Sequence, residues 1–531
     1  WHTWTFSDYH ARARAVSEAA GKLGVKPGQR VALMMENRPE WIATYMGLAC
    51  CGIEVVPIDA HLLEREVSHI MRDSEACAIF ACGKVWPLMH EIESGLPNLK
   101  NIVMLDKVFS ETKKVGSVVH HDYDSLMASV SSEASLPDSF FDRNVPVESD
   151  IASIIYTSGT TGRPKGAMIT HGNFTAQLDG ALQYFTVHTS DNFLLVLPLH
   201  HAFAFTGNFL VPLGCMCESS MVENLRTVSE NMREVSPTIL LAVPLLAEKM
   251  LNAIMAKLKK NPVAKILMYI GLGRLVGKKV IAALGGRLRI IICGGAASDP
   301  VMLKTFSKFG IRTLEGYGLT ETAPIVALAP ENDIRFGSVG KALPNCEVRI
   351  RNPNSEGIGE IQVRGPIVMR GYFHNEAATS EVFDGDWFCT GDLGKMDRDG
   401  YITITGRKKS LIVNREGKNI YPEEVEMVIN ASPYILESIV LGFHGQGEKG
   451  ERVGVIVVPD MDRIEEERKS KGQSMSDDEI IALCKREVYR MVQEIAEYKR
   501  PRRVQVRFEQ LEKTTTQKIK RYLYNLSDGE E

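Results

Sequence analysis

Residues 156–166 read Tyr-Thr-Ser-Gly-Thr-Thr-Gly-Arg-Pro-Lys-Gly. Four hydroxyls (Thr157, Ser158, Thr160, Thr161), three glycines (Gly159, Gly162, Gly166) and Lys165 fall within ten residues. Glycines let a backbone curl so that several N–H groups face one anion, and the hydroxyls and lysine add donors and charge. That donor set suits a polyphosphate. It is not a Walker A loop, G-x-x-x-x-G-K-[ST] opening into a helix, because Pro164 precedes the lysine and Gly166 follows it. The bland alternative is a Ser/Thr/Gly-rich surface loop. The run Ser-Ile-Ile-Tyr at 153–156 reads as the end of a buried strand and favours a strand-anchored phosphate loop.

Further polar clusters are weaker when read from residue types alone. Gly316-Tyr317-Gly318 has the composition of a tight turn, and Thr320-Glu321 that of a helix start. Asp392 in Thr390-Gly391-Asp392 reads as a turn aspartate, and Lys513, Lys518, Lys520 and Arg521 as a basic surface run.

These residues need a scaffold, and the chain has the texture of one. Through the first three hundred residues, short β-branched runs such as Arg30 to Met35 and Val55 to Ile58 alternate with longer amphipathic stretches such as Glu40 to Cys51. That pattern predicts helices flanking a mainly parallel sheet. From about Gly337 short strands with Gly/Pro/Asn turns predict a small β-rich subdomain, and beyond Lys409 a charged α+β region follows, with 459–480 as a solvated loop and helix. At 531 residues, more than one core is required. A hydrophobic content of 44% and a charged content of 24% are those of an ordinary globular enzyme, and a net charge of −4 argues against general nucleic-acid binding. Ten cysteines form no C-x-x-C pair and read as buried hydrophobes in a reducing compartment. Apolar segments such as 45–58 are too short and interrupted to span a bilayer. The chain begins at Trp1, in mid-pattern, which leaves open a preceding targeting segment.

The stretch Tyr156 to Asn173 (YTSGTTGRPKGAMITHGN) resembles the phosphate-loop signature of the adenylate-forming superfamily: acyl-CoA synthetases, peptide-synthetase adenylation domains and beetle luciferases. The resemblance recurs in order along the chain: Arg30-Val31-Ala32-Leu33 with Cys51 to Pro57, GYGLTET at 316–322, TGD at 390–392, GRKK at 406–409, GKNIYPEEVE at 417–426, and KTTTQKIKR at 513–521. It implies a large N-terminal domain of α/β subdomains plus a small β-rich subdomain (1–408), followed by a small, mobile α+β lid (409–531), hinged at Lys409. The implied reaction joins a carboxylate to ATP, giving acyl-AMP and pyrophosphate, and then hands the acyl group to CoA.

Such nucleotidyl transfer relies on positioning and charge neutralisation, and the resemblance distributes these tasks. Thr157, Ser158, Gly159, Thr160, Thr161, Gly162 and Lys165 would cradle the β- and γ-phosphates, and Thr320 would reach the α-phosphate. Glu321 would hold Mg²⁺, a hard cation that prefers carboxylate oxygen. Tyr317, flanked by Glu315, Gly316 and Gly318, would lie against the purine, with Gly294, Gly295 and Ala296 passing close to the base. Asp392, assisted by Arg407, would accept from the ribose hydroxyls. Lys518 would bridge the attacking carboxylate and the α-phosphate, and Gly417 would line the thiol tunnel after the lid rotates. The family usually has glycine before this lysine and proline before the upstream one; here stand Gln517 and Glu512, which alters the loop that poses Lys518.

Residues 198–212 (PLHHAFAFTGNFLVP), which in the family wall the acyl pocket, contain no Asp or Glu to pair with an amino-acid ammonium. Aromatic and small residues there suit an apolar tail, with His201 beside the carboxylate. The texture of 406–410 and 419–422 is nearest to bacterial medium- and long-chain fatty acyl-CoA synthetases. Residues 255–290 carry nine Lys/Arg and no acid; interleaved apolar residues such as 266–270 make a peripheral membrane contact the alternative to a solvated face. The expected location is cytoplasmic, with the inner face of the membrane as that alternative. An acyl carrier protein as acceptor, a luciferase-type oxygenation and a non-catalytic lipid-binding relative remain open. Chain length and oligomeric state are not legible.

Overall fold

The computed structural model describes residues 1–109, 112–134, 137–157, 163–259, 273–444, 450–471, 475–513 and 519–526. The chain packs into two compact units, Trp1–Val348 with Val363–Phe388, and Arg349–Gln362 with Cys389–Glu531.

The first unit contains two sheets. Strands β1 (Arg30–Met34), β2 (Glu54–Pro57), β3 (Ala78–Ala81), β4 (Asn101–Met104), β5 (Lys113–Val115), β6 (Val118–Asp122), β7 (Ile151–Thr157) and β8 (Lys165–Thr170) form one, in the order β5-β6-β4-β3-β1-β2-β7-β8. Its centre is parallel, and Val31, Ala32, Leu33 and Met34 of β1 are all buried. A strand covered by helices on both faces needs apolar residues at consecutive positions, which is why this run does not alternate. The helix Pro39–Ala49, started by a proline in its first turn, buries Trp41, Ile42, Tyr45 and Leu48 in the same core.

The second sheet comprises β9 (Asn192–Leu195), β10 (Glu218–Met221), β11 (Ile239–Ala242), β12 (Ile290–Cys293), β13 (Arg312–Gly318), β14 (Ile325–Leu328) and β15 (Lys341–Ala342), in the order β10-β9-β11-β12-β13-β14-β15. Helices Gly273–Ala283 and Pro300–Lys308 bury Val276, Val280, Leu303 and Phe306 in its core. The carboxyl ends of β7, β12 and β13 deliver the hydroxyl-rich loop, Gly294 and the Tyr317–Glu321 segment. In open α/β sheets, that edge is where ligand loops gather.

The second unit begins with β-rich chain: residues 392–396 pair antiparallel with 402–407. A three-stranded sheet follows, Ile435–Phe443 antiparallel to Arg452–Pro459, which runs parallel to Arg503–Val506. Helices Pro422–Asn430 and Asp477–Met491 cover it, burying Val425, Ile429, Ile480, Cys484 and Val488. All ten cysteines are free thiols. Among the described residues, no helix is long and apolar enough to cross a membrane.

Candidate active site

β7 and β8 form an antiparallel hairpin in which Thr157 stands directly opposite Lys165. The two residues that flank the hydroxyl-rich segment, Thr157 and Lys165, are therefore both held by cross-strand pairing. Tyr156 reinforces one side, its hydroxyl donating to Asp73 Oδ2 at 2.6 Å. Ser158, Gly159, Thr160, Thr161 and Gly162 lie outside the described residues.

The β13 end carries the second group. Gly316-Tyr317-Gly318 is strand and not a tight turn, with Tyr317 paired to Ala327 of β14. Gly318 is required by close approach: a Cβ there would lie 1.8 Å from the Pro324 carbonyl oxygen. Thr320 is the first residue of the one-turn 3₁₀-helix Thr320–Thr322 and not its cap; the hydroxyl that fastens this turn belongs to Thr322, donating to Pro324 O at 2.8 Å. Glu321 follows, half-buried, with Oε1 accepting from the Tyr372 hydroxyl at 2.9 Å. Lys165 Nζ lies 5.1 Å from the centre of the same tyrosine ring. Thus Tyr372 connects Lys165 and Glu321, and sequence reasoning missed it. Its only signal is an aromatic after Gly371, which is no signal without the fold.

Gly294, Gly295 and Ala296 leave the end of β12. Gly295 has a φ of +86°, a left-handed value that favours glycine. Glu315 sits beneath this loop, opposite Cys293 in the parallel register, its Oε1 accepting from Ser298 N–H at 3.2 Å. Burial pushes its carboxyl up to about 7 against the lowering pull of that hydrogen bond. This contact makes Glu315 a support of the loop.

In the segment expected to wall the acyl pocket, His201 immediately precedes consecutive helical turns Ala202–Ala204, Phe205–Leu210 and Val211–Gly214, the middle one a π-helix. Such wide turns recur where a helix is shaped for function. His200 Nε2 lies 3.1 Å from His201 Nε2 and 3.5 Å from Asp59 Oδ2. Burial pushes the His200 imidazole down to about 4, while Asp59 pulls the other way. Phe203 meets the glycine loop at the end of β12: a Cβ on Gly294 would stand 3.1 Å from Phe203 Cζ. The apolar helix and the glycine loop are in contact.

In the second unit, Asp392 and Arg407 are opposite residues of two antiparallel strands, with Nε 3.0 Å from Oδ1. Asp392 is strand, not a free turn aspartate, and is buried. Gly417 has a φ of +74°, and a Cβ there would meet nothing within 4 Å. Lys409 occupies the 3₁₀-turn Lys408–Ser410. Lys518 and Gln517 lie outside the described residues; upstream, Lys513 Nζ pairs with Glu437 Oε2 at 2.5 Å.

Among the described residues, no cluster of three or more His, Cys, Asp or Glu is arranged to hold a metal ion. Glu321 offers a carboxylate whose Oε1 accepts from the Tyr372 hydroxyl. That donor set fits Mg²⁺, which is commonly bound through one or two carboxylates, substrate phosphates and waters.

Comparison with known proteins identifies the class. The AMP-binding enzyme family matches residues 1–373, and the AMP-binding enzyme C-terminal domain matches 424–518. The chain belongs to the AMP-binding enzymes, the adenylate-forming family that its motifs resemble. It is 30% identical to the long-chain-fatty-acid–CoA ligase FadD15 of Mycobacterium bovis, over 90% of this chain and 81% of the relative. It is 29% identical to a long-chain-fatty-acid–CoA ligase of Salmonella typhimurium, covering 97% and 89% of the two chains. Its fold matches the anthranilate CoA ligase AuaEII in complex with anthranoyl-AMP, with a TM-score of 0.77, 24% identity, and 98% and 91% coverage. It also matches ATP-bound MatB from Rhodopseudomonas palustris, with a TM-score of 0.76, 24% identity, and 98% and 92% coverage.

Proposed function

We propose that this protein is an AMP-forming fatty acid–CoA ligase acting on medium- or long-chain acids. The observation that carries this reading is the contact between Gly294 of the nucleotide loop and Phe203 of an apolar helix that has no acidic residue over 198–212. An acyl tail along that helix and a nucleotide on that loop would meet where acyl-AMP forms. Relatives named as long-chain-fatty-acid–CoA ligases over most of their length support the same substrate class.

The fatty carboxylate attacks the α-phosphorus and pyrophosphate leaves; the CoA thiol then attacks the acyl carbon and AMP leaves. Thr157, Lys165 and the hydroxyls between them hold the β- and γ-phosphates. Thr320 and Lys518 contact the α-phosphate. Asp392 and Arg407 fix the ribose, Tyr317 the purine, and His201 the carboxylate. Mg²⁺, held through Glu321, supplies neutralisation of phosphate charge. The lid, 409–531, rotates about Lys409 between half-reactions and brings the Gly417 loop to the pantetheine path. ATP–pyrophosphate exchange across fatty acids of graded length, followed by addition of CoA or an acyl carrier protein, tests the reading. Exchange with no fatty acid would overturn it, and transfer to carrier protein alone would overturn the acceptor.

Peripheral membrane contact through 255–290 is the accompanying proposal. Lys257, Lys278 and Lys279 are exposed there, while Val276, Val280 and Leu284 face the core. The apolar run 266–270 lies outside the described residues. Co-sedimentation with anionic vesicles, lost on neutralising these three lysines, tests it.

A further inference from the structure

Two groups of opposite charge, Lys165 and Glu321, are assigned to one polyphosphate and its metal. Such a pair in a partly buried site tends to collapse into a mutual ion pair, which would withdraw both from substrate. Here neither is ion-paired among the described residues; both meet Tyr372 instead. The phenol hydroxyl donates to Glu321 Oε1 at 2.9 Å, and the Lys165 ammonium lies 5.1 Å from the ring centre, within cation–π range.

The tyrosine is itself held firmly. Its segment runs as an extra antiparallel strand beside β8: Met168 N–H donates to Gly371 O at 2.9 Å, Arg370 N–H to Met168 O at 3.0 Å, and Phe373 N–H to Gly166 O at 2.8 Å. Tyr372 N–H donates to Thr379 Oγ1 at 2.9 Å. Met369 N–H donates to the Glu321 carbonyl at 2.8 Å, so the same segment grips the glutamate's backbone. The residue is 8% exposed. A rigidly seated ring with a cation on its face and a carboxylate on its hydroxyl is a spacer.

We propose that Tyr372 is a positioning residue that orients Glu321 toward the metal and holds Lys165 apart from it. This rests on the assignment of Glu321 to Mg²⁺ and Lys165 to the phosphates. The two ends of the tyrosine have separable effects. The hydroxyl acts on the metal-dependent part of nucleotide binding, and the ring on the part that needs no metal.

The experiment is calorimetric titration of ATP, in the absence of acid substrate, with Mg²⁺ and with chelator, on the full chain. Tyr372→Phe is expected to weaken ATP binding with Mg²⁺ by about tenfold, the scale of one hydrogen bond to a charged oxygen, with chelator values unchanged. Tyr372→Leu is expected to weaken both. In steady state, Tyr372→Phe is expected to raise the Mg²⁺ requirement and the KM for ATP while leaving the KM for the fatty acid unchanged. Thermal melting confirms that the Phe variant is folded. Wild-type Mg²⁺ dependence in Tyr372→Phe, with Glu321→Ala shifted, overturns this proposal alone. An unshifted Glu321→Ala overturns the metal assignment and this proposal with it.

Discussion

Asp392 and Arg407 are cross-strand partners, held with Arg407 Nε 3.0 Å from Asp392 Oδ1. The aspartate side chain is 6% exposed and the arginine side chain 42%, so the carboxylate is presented from a buried strand by an arginine that reaches it from the surface. A carboxylate so oriented is pre-organised to accept two neighbouring hydroxyls, because its own rotamer is already restrained.

If Asp392 accepts the ribose hydroxyls, Asp392→Asn raises the KM for ATP by about ten- to hundredfold, the cost of a charge-assisted pair. The diagnostic comparison uses 2′- and 3′-deoxy-ATP: the wild type discriminates against them and the variant does not. Equal discrimination in both proteins would remove Asp392 from the ribose. Arg407→Ala, combined with Asp392→Asn, should cost less than the sum of the singles, since the residues act as a unit.

Glu321→Ala should reduce adenylation by about a hundredfold or more, as an electrostatic contact to a charged transition state is lost. Exchange is measured across a Mg²⁺ titration. Near-normal rates at limiting Mg²⁺ would contradict the assignment.

Because residues 198–212 lack acidic side chains, apolar carboxylic acids should support exchange and α-amino acids should not. An amino-acid ammonium seated there would be buried and unpaired. Robust exchange with an amino acid and none with fatty acids would reverse the substrate class.

Lys518→Ala should abolish acyl-AMP formation yet still turn supplied acyl-AMP and CoA into thioester. Gly417 needs two substitutions, since its φ of +74° strains any side chain whereas the space around its Cβ is open. Gly417→Ala should cost about 1 kcal/mol of local backbone strain and little transfer activity. Gly417→Trp should block transfer and spare adenylation. Equal damage to both half-reactions by Lys518→Ala and Gly417→Trp would remove support for a rotating lid.

His200 predicts an acid-side loss of stability. Burial lowers its folded value to about 4, against an unfolded value of about 6.5. Between those values the unfolded chain binds more protons, so stability falls as pH drops through that window, by up to about 3 kcal/mol. Glu315, raised to about 7 by burial, acts in the opposite sense: its cost appears as pH rises from about 4.5 towards 7. Thermal midpoints from pH 7.5 to 4.5 should fall less steeply in His200→Gln and more steeply in Glu315→Gln. Identical slopes in all three proteins would mean that neither group is buried as placed.

The sequence alone determined whatever depends on neighbours along the chain. A hydroxyl- and glycine-rich loop at the end of an apolar run is legible because strand, loop and lysine lie within a dozen residues, and hairpin geometry is local. The consecutive apolar residues of β1 announced a sheet covered on both faces for the same reason. The Asp392–Arg407 pair was legible only as two family motifs; what makes it a pair is strand register, which a one-residue slip would reverse. Tyr372 was not legible at all. Its hydroxyl reaches a glutamate 51 residues earlier and its ring a lysine further back still, through a strand that attaches to the edge of β8. Asp59 was passed over likewise, and the Glu315 contact with Ser298 was not legible, because what a carboxylate meets depends on what the fold places against it. Side-chain type and spacing specify local chemistry, whereas long-range register, closed only when the sheets assemble, decides which groups share it.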